Sequence, residues 1–359
     1  MSPTKKIDVI LVAGGKSAEH EVSVISAQNI AQALNKEKYN ISIVGIDKEG
    51  HFKKLSLPTL LESKVISTQT KNTSLSLVAQ IDPLEENLTE ASNTKVVFPV
   101  LHGSYGEDGT IQGLLKIMDV PFVGAGVLGS AIGMDKDVMK RILRDANIPI
   151  ADFLTYRAYQ KDAIVFNEVV NKLGLPIFIK PANLGSSVGI SKVKTEDEFK
   201  QALETAFIYD DKIIIEEFID GRELECAVLG NDFPEASAVG EIKPTHEFYS
   251  YEAKYLDPNG AALSIPANIP EDKSKELQTL AVATFKALEG EGMARVDFFL
   301  KKSGEIIVNE VNTIPGFTTI SMYPKLWAHS GLSYDKLLDK LIDLAIQKYH
   351  QKNKLKNNL

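Results

Sequence analysis

The sequence predicts an α/β protein of more than one domain, whose first domain is built on a mostly parallel sheet. The chain of 359 residues is long enough for two or three hydrophobic cores, and 44% of its residues are hydrophobic and 25% charged. This balance is typical of globular proteins. Apolar runs at 7–12, 41–46 and 96–101 alternate with helix-like segments, of which 22–34 is the clearest. Such alternation indicates a parallel sheet.

Composition argues against several classes of protein. A formal net charge of -8 disfavours nucleic acid as the main partner, because binding to phosphates needs a basic face. The single cysteine, Cys226, leaves no internal disulfide, and no apolar stretch approaches the roughly 18 residues of a membrane span. The first apolar run contains Asp8 and is a strand rather than a signal peptide. We therefore expect a cytoplasmic protein without a membrane partner.

The chain divides into three blocks, which we interpret as domains at 1–130, 131–219 and 220–359. The second block follows the glycine-rich stretch 123–129 and has a predicted helix and two predicted strands, at 135–147, 177–180 and 213–218. The third has predicted strands and helices at 224–229, 273–289, 295–300, 306–311 and 334–347. Residues 52–94, rich in Ser, Thr, Asn and Lys, are interpreted as a surface excursion, and the polar tail 351–359 as frayed.

The stretch KPANLGSSVGI at 180–190 combines a lysine, two glycines and two serines. Such residues can surround a phosphate. However, Lys180 precedes the glycines, whereas in a Walker A loop the lysine follows them and leads into a helix. A flexible lid between two strands fits better, and an ordinary hairpin connection stays open as an alternative. Lys180 ends a buried strand, where an unpartnered ammonium group is costly, and a bound phosphate would supply its partner.

Two features of the first block could bind small molecules. The glycine turn VAGG at 12–15, with Asp47 at the end of the next strand, suggests a dinucleotide site, but the full glycine pattern is missing. Glu19 and Glu21 lie in the first turn of a predicted helix, where the helix dipole favours carboxylates. That account suffices for Glu21, whereas Glu19 lies nearer the turn and could bind the ammonium group of a substrate.

The most informative segment lies near the carboxyl end, where two apolar runs flank KKSGE and predict a β-hairpin. A two-residue loop, Ser303–Gly304, places Asp297 opposite Glu310 and Arg295 opposite Asn312, all on one face. Facing carboxylates repel each other unless a cation lies between them, and these oxygen ligands suit Mg²⁺ or Mn²⁺. A slipped register would leave only a solvated polar face.

Three other features are ambiguous from the residues alone. Lys136 at the start of a helix could contact a phosphate or be an ordinary exposed lysine. The strand KIIIEEFIDGRE turns polar at Glu216 and Glu217, and could face an adenine and a ribose or be only an acidic strand end. The segment 247–270 holds four aromatic residues around Lys254 and could be a functional lid or a surface loop.

Together these motifs resemble those of the D-alanine:D-alanine ligases of the ATP-grasp superfamily. The resemblance spans the chain, is weakest at 52–94, and rests on SAEHEVS at 17–23, LHGSYGEDG at 101–109, MDK at 134–136, KPANLGSSVG at 180–189, YEAKY at 251–255 and NEVNTIPGF at 309–317. It implies a three-domain ATP-grasp fold, α/β with α+β parts, whose first domain is a Rossmann-like parallel sheet. It also implies ATP-dependent ligation of two D-alanine molecules through an acylphosphate, for peptidoglycan synthesis, by a homodimer.

The resemblance further implies a role for each matching position. ATP would be contacted by Lys136, Lys180, Ser187, Glu216, Glu217, Phe218, Ile219, Glu223 and Asn309. Two Mg²⁺ or Mn²⁺ ions would be held by Asp297, Glu310 and Asn312. The first D-alanine would bind Glu19 near His102, with Arg295 and the Gly316 N–H on the developing oxyanion. The second would be held by Lys254 and Ser321, while Glu19, Ser186 and Tyr255 would close the lid.

Two positions bear on the choice of the second substrate. Met322 follows Ser321 where many relatives of this family have leucine, which changes the shape of the subsite but not its polarity. Tyr255 favours D-alanine over D-lactate, because depsipeptide-forming relatives carry a different lid there. The alternatives are the same fold with D-serine or D-lactate as second substrate, a nicotinamide-dependent dehydrogenase built on the first block, and a catalytically silent nucleotide-binding scaffold.

Overall fold

The protein is built on three β-sheets that follow one another along the chain. The structure, a computed structural model, describes residues 6–67, 94–186, 188–244 and 261–355. Within these ranges the sheets lie in the three blocks of the sequence, while the domain boundaries stay a prediction. The same ranges contain no helix that is long and apolar enough to cross a membrane.

The first sheet has the order β3-β2-β1-β4, and β1 pairs in parallel with both of its neighbours. Its strands are β1 (Ile7–Gly14), β2 (Tyr39–Ile46), β3 (Phe52–Leu55) and β4 (Lys95–Val100), and its helices are α1 (His20–Ala33), α2 (Leu57–Glu62) and α3 (Thr110–Ile117). β1 is buried from its third residue on, which explains its continuous apolar run. The residues that follow β1 and β4 meet at the carboxyl edge, where open α/β sheets bind ligands.

The second sheet is antiparallel in the order β5-β8-β6-β7. Helices α4 (Val127–Met134) and α5 (Lys136–Asp145) precede it, and its elements are β5 (Phe153–Arg157), α6 (Phe166–Leu173), β6 (Ile177–Pro181), β7 (Ser191–Val193), α7 (Glu196–Tyr209) and β8 (Lys212–Glu217). Asp135 caps α5 by accepting the Val138 N–H at 3.1 Å. The KPANLGSSVGI stretch therefore connects two paired strands, β6 and β7.

The third sheet is antiparallel in the order β11-β10-β9-β12-β13. Its elements are β9 (Gly221–Gly230), β10 (Glu235–Pro244), β11 (Ala261–Ser264), α8 (Glu271–Ala287), β12 (Gly292–Lys301), β13 (Ile306–Asn312), α9 (Met322–His329) and α10 (Tyr334–Asn353). Leu11 and Phe98 of the first sheet share one buried cluster with Phe317, Tyr323 and Leu341. This shared core fixes the ligand-binding edge of the first sheet against the third sheet.

Two predicted segments differ from the structure. Residues 52–62, at the start of the predicted surface excursion, contain β3 and α2, which were not predicted, while 68–93 lie outside the described residues. The last helix continues to Asn353, past its predicted end at Gln347, because the residues in between include no glycine or proline.

Helix α4 begins inside the glycine-rich stretch and was not predicted, because glycine weakens helices. A Cβ at Gly129 would lie 2.4 Å from the backbone oxygen of Glu289, and one at Gly133 would lie 2.7 Å from Thr313. The two glycines therefore allow α4 to approach the segments just before β12 and just after β13 closely.

The β12–β13 hairpin has the predicted pairing at its cleft end but not the predicted loop. Arg295 pairs with Asn312, and Asp297 with Glu310. Toward the tip the register shifts by one residue, so the loop has three residues instead of two and Asn309 is an extra residue in β13. A β-bulge turns consecutive residues to one side, and Asn309 and Glu310 both line the cleft described next.

Candidate active site

A cleft of about 420 Å³ opens between the three sheets, and its walls carry most of the predicted functional residues. These are Glu19, Lys136, Ser186, Glu223, Arg295, Asp297, Asn309, Glu310, Asn312, Gly316, Ser321 and Met322. An adjoining pocket of about 200 Å³ is lined in addition by Lys180, Glu216, Glu217, Phe218 and Ile219. The other predicted residues are His102, which is buried, and Ser187, Lys254 and Tyr255, which lie outside the described residues.

Arg295 and several acidic side chains form the polar floor of the cleft. The Arg295 guanidinium donates to both carboxylate oxygens of Asp297 at 2.7 Å, and its Nε lies 3.0 Å from Glu225 Oε2. Asn312 Nδ2 donates to Asp297 at 3.1 Å. Glu225 faces Asp297 from β9, and the sequence analysis missed it. The available signal was Glu225 inside the predicted strand 224–229, two residues after Glu223.

The lid, described at 182–186 and 188–190, makes two polar contacts with residues beside the cleft. The Ser186 hydroxyl donates to Glu19 Oε1, and the Lys136 ammonium donates to the Leu184 carbonyl at 2.7 Å. Lys136 is buried, so the alternative of an ordinary exposed lysine is wrong. The structure thus brings together two of the three predicted lid-closing residues, Glu19 and Ser186.

The side chains of His102, which is buried, and Glu107 connect the segment after β4 to the loop after β13. His102 Nδ1 lies 2.9 Å from the Ile314 carbonyl oxygen, and burial lowers the pKa of its imidazole. Glu107 accepts the N–H of Gly103 at 2.7 Å and that of Ile314 at 3.0 Å. Burial, and after it the charge of Glu19, raises the pKa of Glu107 to about 8. Glu107 lies in the motif LHGSYGEDG, but its hydrogen bond to the loop after β13 was not predictable from that motif.

The loop between β13 and α9 brings Gly316 and Ser321 side by side. Ser321 Oγ accepts the N–H of Thr318 at 3.0 Å. A Cβ at Gly316 would lie 2.7 Å from the same oxygen, so this approach requires glycine. Met322, the first residue of α9, is buried and lines the cleft beside them.

The adjoining pocket contains a buried group of charges. Lys180 forms an ion pair with Glu216, so the protein itself supplies the partner that we expected from a bound phosphate. Lys140 Nζ on α5 lies 2.9 Å from the other oxygen of Glu216. Burial acts to raise the pKa of Glu216, but the two ammonium groups lower it to about 2. Glu216 is therefore more than an acidic strand end, and Lys140 is a residue that the sequence analysis missed.

The structure contradicts the main support for a dinucleotide site in the first sheet. Asp47 is buried and accepts the N–H groups of Glu49 at 3.0 Å and His51 at 2.7 Å, and its second oxygen lies 3.0 Å from His51 Nδ1. The carboxylate closes the turn between β2 and β3. It is engaged there rather than placed to bind a ribose.

Comparisons with known proteins agree with this fold and cleft. The family models described as D-ala D-ala ligase N-terminus and C-terminus match residues 8–125 and 142–343. The D-alanine–D-alanine ligase of Shouchella clausii is 48% identical over 99% of this chain and 98% of its own length. The D-alanine–D-alanine ligase A of Escherichia coli is 46% identical over 99% of this chain and its full length.

Two solved structures resemble the chain almost from end to end. The D-alanine-D-alanine ligase from Coxiella burnetii superposes with a TM-score of 0.83 at 38% identity, over 98% of this chain and 97% of its own. The VanG D-Ala:D-Ser ligase from Enterococcus faecalis superposes with a TM-score of 0.81 at 36% identity, over 95% of this chain and 100% of its own.

The fold and the cleft define an ATP-dependent ligase of ATP-grasp architecture. Within that class, the chain belongs to the D-alanine–D-alanine ligase family. The resemblance read from the sequence motifs is confirmed.

Proposed function

We propose that this protein joins two D-alanine molecules to D-alanyl-D-alanine with ATP, for peptidoglycan precursor synthesis. The observation that carries the proposal is the identity of 48% and 46% to curated relatives named D-alanine–D-alanine ligase, over 99% of the chain. The cleft supports it, because Glu19 and Glu107 of the first block, Lys136 and Ser186 of the second and strand residues of the third sheet line one space that adjoins a second pocket.

The reaction proceeds in two steps. A carboxylate oxygen of the first D-alanine attacks the γ-phosphorus of ATP, the bond to the bridging oxygen breaks, and ADP leaves. The amine of the second D-alanine then attacks the acyl carbon of the acylphosphate, loses a proton, and displaces phosphate. Both steps develop negative charge on oxygen, so the protein must place cationic and N–H donors there.

The first substrate would be held between Glu19 and Arg295. Glu19 is buried and accepts a hydrogen bond from Ser186, which fixes its carboxylate for an ammonium group. His102 lies in the protein behind the cleft, and its lowered pKa keeps the imidazole neutral, so it does not compete with the substrate for Glu19. Arg295 and the Gly316 N–H would stabilise the oxyanion.

The second substrate would lie at the start of α9. Ser321 would bind its carboxylate and Met322 would line its side-chain space, and the proximity of both to Gly316 supports this placement. Lys254 and Tyr255 belong to the same subsite by the sequence motifs alone. D-serine is the second candidate acceptor, because the VanG protein named as a D-Ala:D-Ser ligase covers 95% of this chain at 36% identity.

ATP would occupy the adjoining pocket. Its phosphates would meet Lys136, Lys180 and Ser187, its adenine the strand end at 216–219, and its ribose Glu223, with Asn309 nearby. The aromatic face of Phe218 supports this placement, because it lines the pocket with Lys192 Nζ 4.5 Å from the ring centroid.

Two Mg²⁺ or Mn²⁺ ions would be held by Asp297, Glu310 and Asn312. The donor set fits, because two carboxylates and an amide oxygen on one cleft floor are hard ligands for these ions. When bound, the metal would neutralise phosphate charge. Arg295 donates hydrogen bonds to both oxygens of Asp297. If Asp297 bound a metal, the guanidinium would keep its ion pair with Glu225.

One assay tests the activity and its acceptor together. Purified protein is incubated with ATP, Mg²⁺ and D-alanine, and ADP release is followed with a coupling enzyme. D-serine and D-lactate then compete with D-alanine, and mass spectrometry identifies the products. We expect D-alanyl-D-alanine as the main product, and ADP release that does not depend on D-alanine would contradict the proposal.

Three further properties are proposed with it. The family resemblance supports a homodimer and a cytoplasmic location, and the three sheets support domains at 1–130, 131–219 and 220–359. Light scattering after size-exclusion chromatography measures the oligomeric state directly, and a monomeric mass would contradict the dimer.

A further inference from the structure

The carboxylate of Glu216 is shared between two lysines that come from different elements. Lys140 reaches it from α5, with its Nζ 2.9 Å from Oε1, and Lys180 reaches Oε2 from β6. The Lys140 pair is close in distance but is not aligned as a hydrogen bond, so we treat it as an ion pair. Each carboxylate oxygen of Glu216 thus has its own ammonium group.

The two lysines differ in their access to the pocket. The Lys140 side chain is 1% exposed, whereas that of Lys180 is 13% exposed and lines the pocket assigned to ATP. Glu310 and Glu223, whose charges act on Lys180, line the same pocket. Lys180 can therefore turn to a ligand, while Lys140, which is not among the residues that line the pocket, stays beside Glu216.

When a lysine moves away from a buried carboxylate, the ionised carboxylate is destabilised. A buried charge that loses its only partner is strongly unfavourable, because the protein interior does not replace the lost solvation. Glu216 is 3% exposed. If Lys180 were its only partner, movement of Lys180 to a phosphate would leave Glu216 uncompensated.

We propose that Lys140 is a positioning residue for nucleotide binding, which stays on Glu216 and neutralises it while Lys180 turns to the polyphosphate of the nucleotide. This inference rests on the proposed function, since it assumes that the pocket binds ATP or ADP. It assigns Lys140 no contact with the nucleotide. Lys140 acts through Glu216 by making Lys180 available.

Binding of ADP to the full-length protein, with Mg²⁺ and without D-alanine, tests the proposal by calorimetry. Lys140→Met is expected to raise the ADP dissociation constant by about tenfold or more, because Lys180 is then needed by both Glu216 and the phosphates. Lys200→Met removes an exposed lysine on α7 whose partner is Glu196, and this control is expected to bind ADP within about twofold of wild type.

The double variant Lys140→Met/Glu216→Gln separates this role from a merely structural one. With the carboxylate neutral, Lys140 has no charge to compensate, so the double variant should bind ADP within about threefold of Glu216→Gln alone. A tenfold weaker binding by the double variant would overturn the proposal. This comparison also decides the matter if Lys140→Met alone does not fold.

The outcomes distinguish this inference from the proposed function. Wild-type protein that binds no ADP would contradict the proposed function itself. Wild-type protein that binds ADP, together with a Lys140→Met variant of equal affinity and unchanged melting temperature, would contradict only the role of Lys140. Adenosine, which lacks phosphates, should bind both proteins equally, and a matching loss of adenosine binding would also contradict that role.

Discussion

Removal of the Ser186 hydroxyl should weaken the contact between the lid and Glu19, with little effect on nucleotide binding. This hydroxyl donates to Glu19 Oε1 in a partly buried contact between the lid and the first sheet. Its acceptor is a carboxylate, and hydrogen bonds to charged groups contribute about 1.5–3 kcal/mol. Ser186 also lies in the left-handed region at φ 54°, a conformation that serine and alanine tolerate about equally poorly, so Ser186→Ala isolates the hydroxyl.

A loss of about 2 kcal/mol corresponds to a fall of roughly 30-fold in kcat/KM for D-alanine. Steady-state kinetics with D-alanine varied at saturating ATP measures this value, and calorimetry with ADP should give a dissociation constant within about threefold of wild type. Ser191→Ala, on β7 beyond the lid, is the matched control and should keep wild-type kinetics. If Ser186→Ala kept kcat/KM for D-alanine within about twofold, the lid contact would have no role in catalysis.

Three other changes test the metal ligands, the first sheet and the charge cluster. Glu310→Gln should raise the Mg²⁺ concentration for half-maximal ADP binding by about tenfold. Glu305→Gln, near the hairpin tip, is the control and should leave that concentration unchanged. The same Mg²⁺ concentration for both variants would contradict the metal assignment. Gly14→Ala should lower the melting temperature by several degrees, because φ is +97° and a Cβ would lie 2.1 Å from a backbone oxygen of β2. Gly113→Ala is the control, because a Cβ there meets open space. A Gly14→Ala melting temperature that is unchanged, or no lower than that of Gly113→Ala, would contradict the packing argument. The pKa of Glu216 is lowered to about 2. Its ionised carboxylate therefore stabilises the folded protein fully above the ordinary pKa of 4.5, and this stabilisation is lost as pH falls toward 2. If Glu216→Gln left the pH midpoint of acid unfolding unchanged, this contribution of Glu216 to stability would be contradicted.

The pairing at the cleft end of the β12–β13 hairpin was predictable from sequence, although the loop was not. The apolar runs fixed which residues face the core, and this sets Asp297 against Glu310. The three-residue loop and the extra Asn309 shift the register in opposite directions, and their effects cancel at the cleft. Since a bulge leaves no simple periodic signal, the correct pairing was reached from an incorrect loop.

Long-range partners of the site residues were less predictable. Lys180 was expected to need an anion, which was correct, but Glu216 from the neighbouring strand supplies it. Lys140 lies on the predicted helix at 135–147, but nothing in the sequence distinguished it from the other charged residues of that helix. Contacts of this kind depend on how β6, β8 and α5 pack together, and local spacing contains no information about that packing.

The path of one carboxylate oxygen atom shows directly whether the reaction passes through an acylphosphate. D-Alanine labelled with ¹⁸O in its carboxylate is incubated with ATP, Mg²⁺ and the protein, and the phosphate and dipeptide are analysed by mass spectrometry. Because the carboxylate oxygen that attacks ATP leaves with the phosphate, we expect one labelled oxygen in phosphate for each D-alanyl-D-alanine formed. Phosphate that carries no label, although dipeptide is formed, would contradict it.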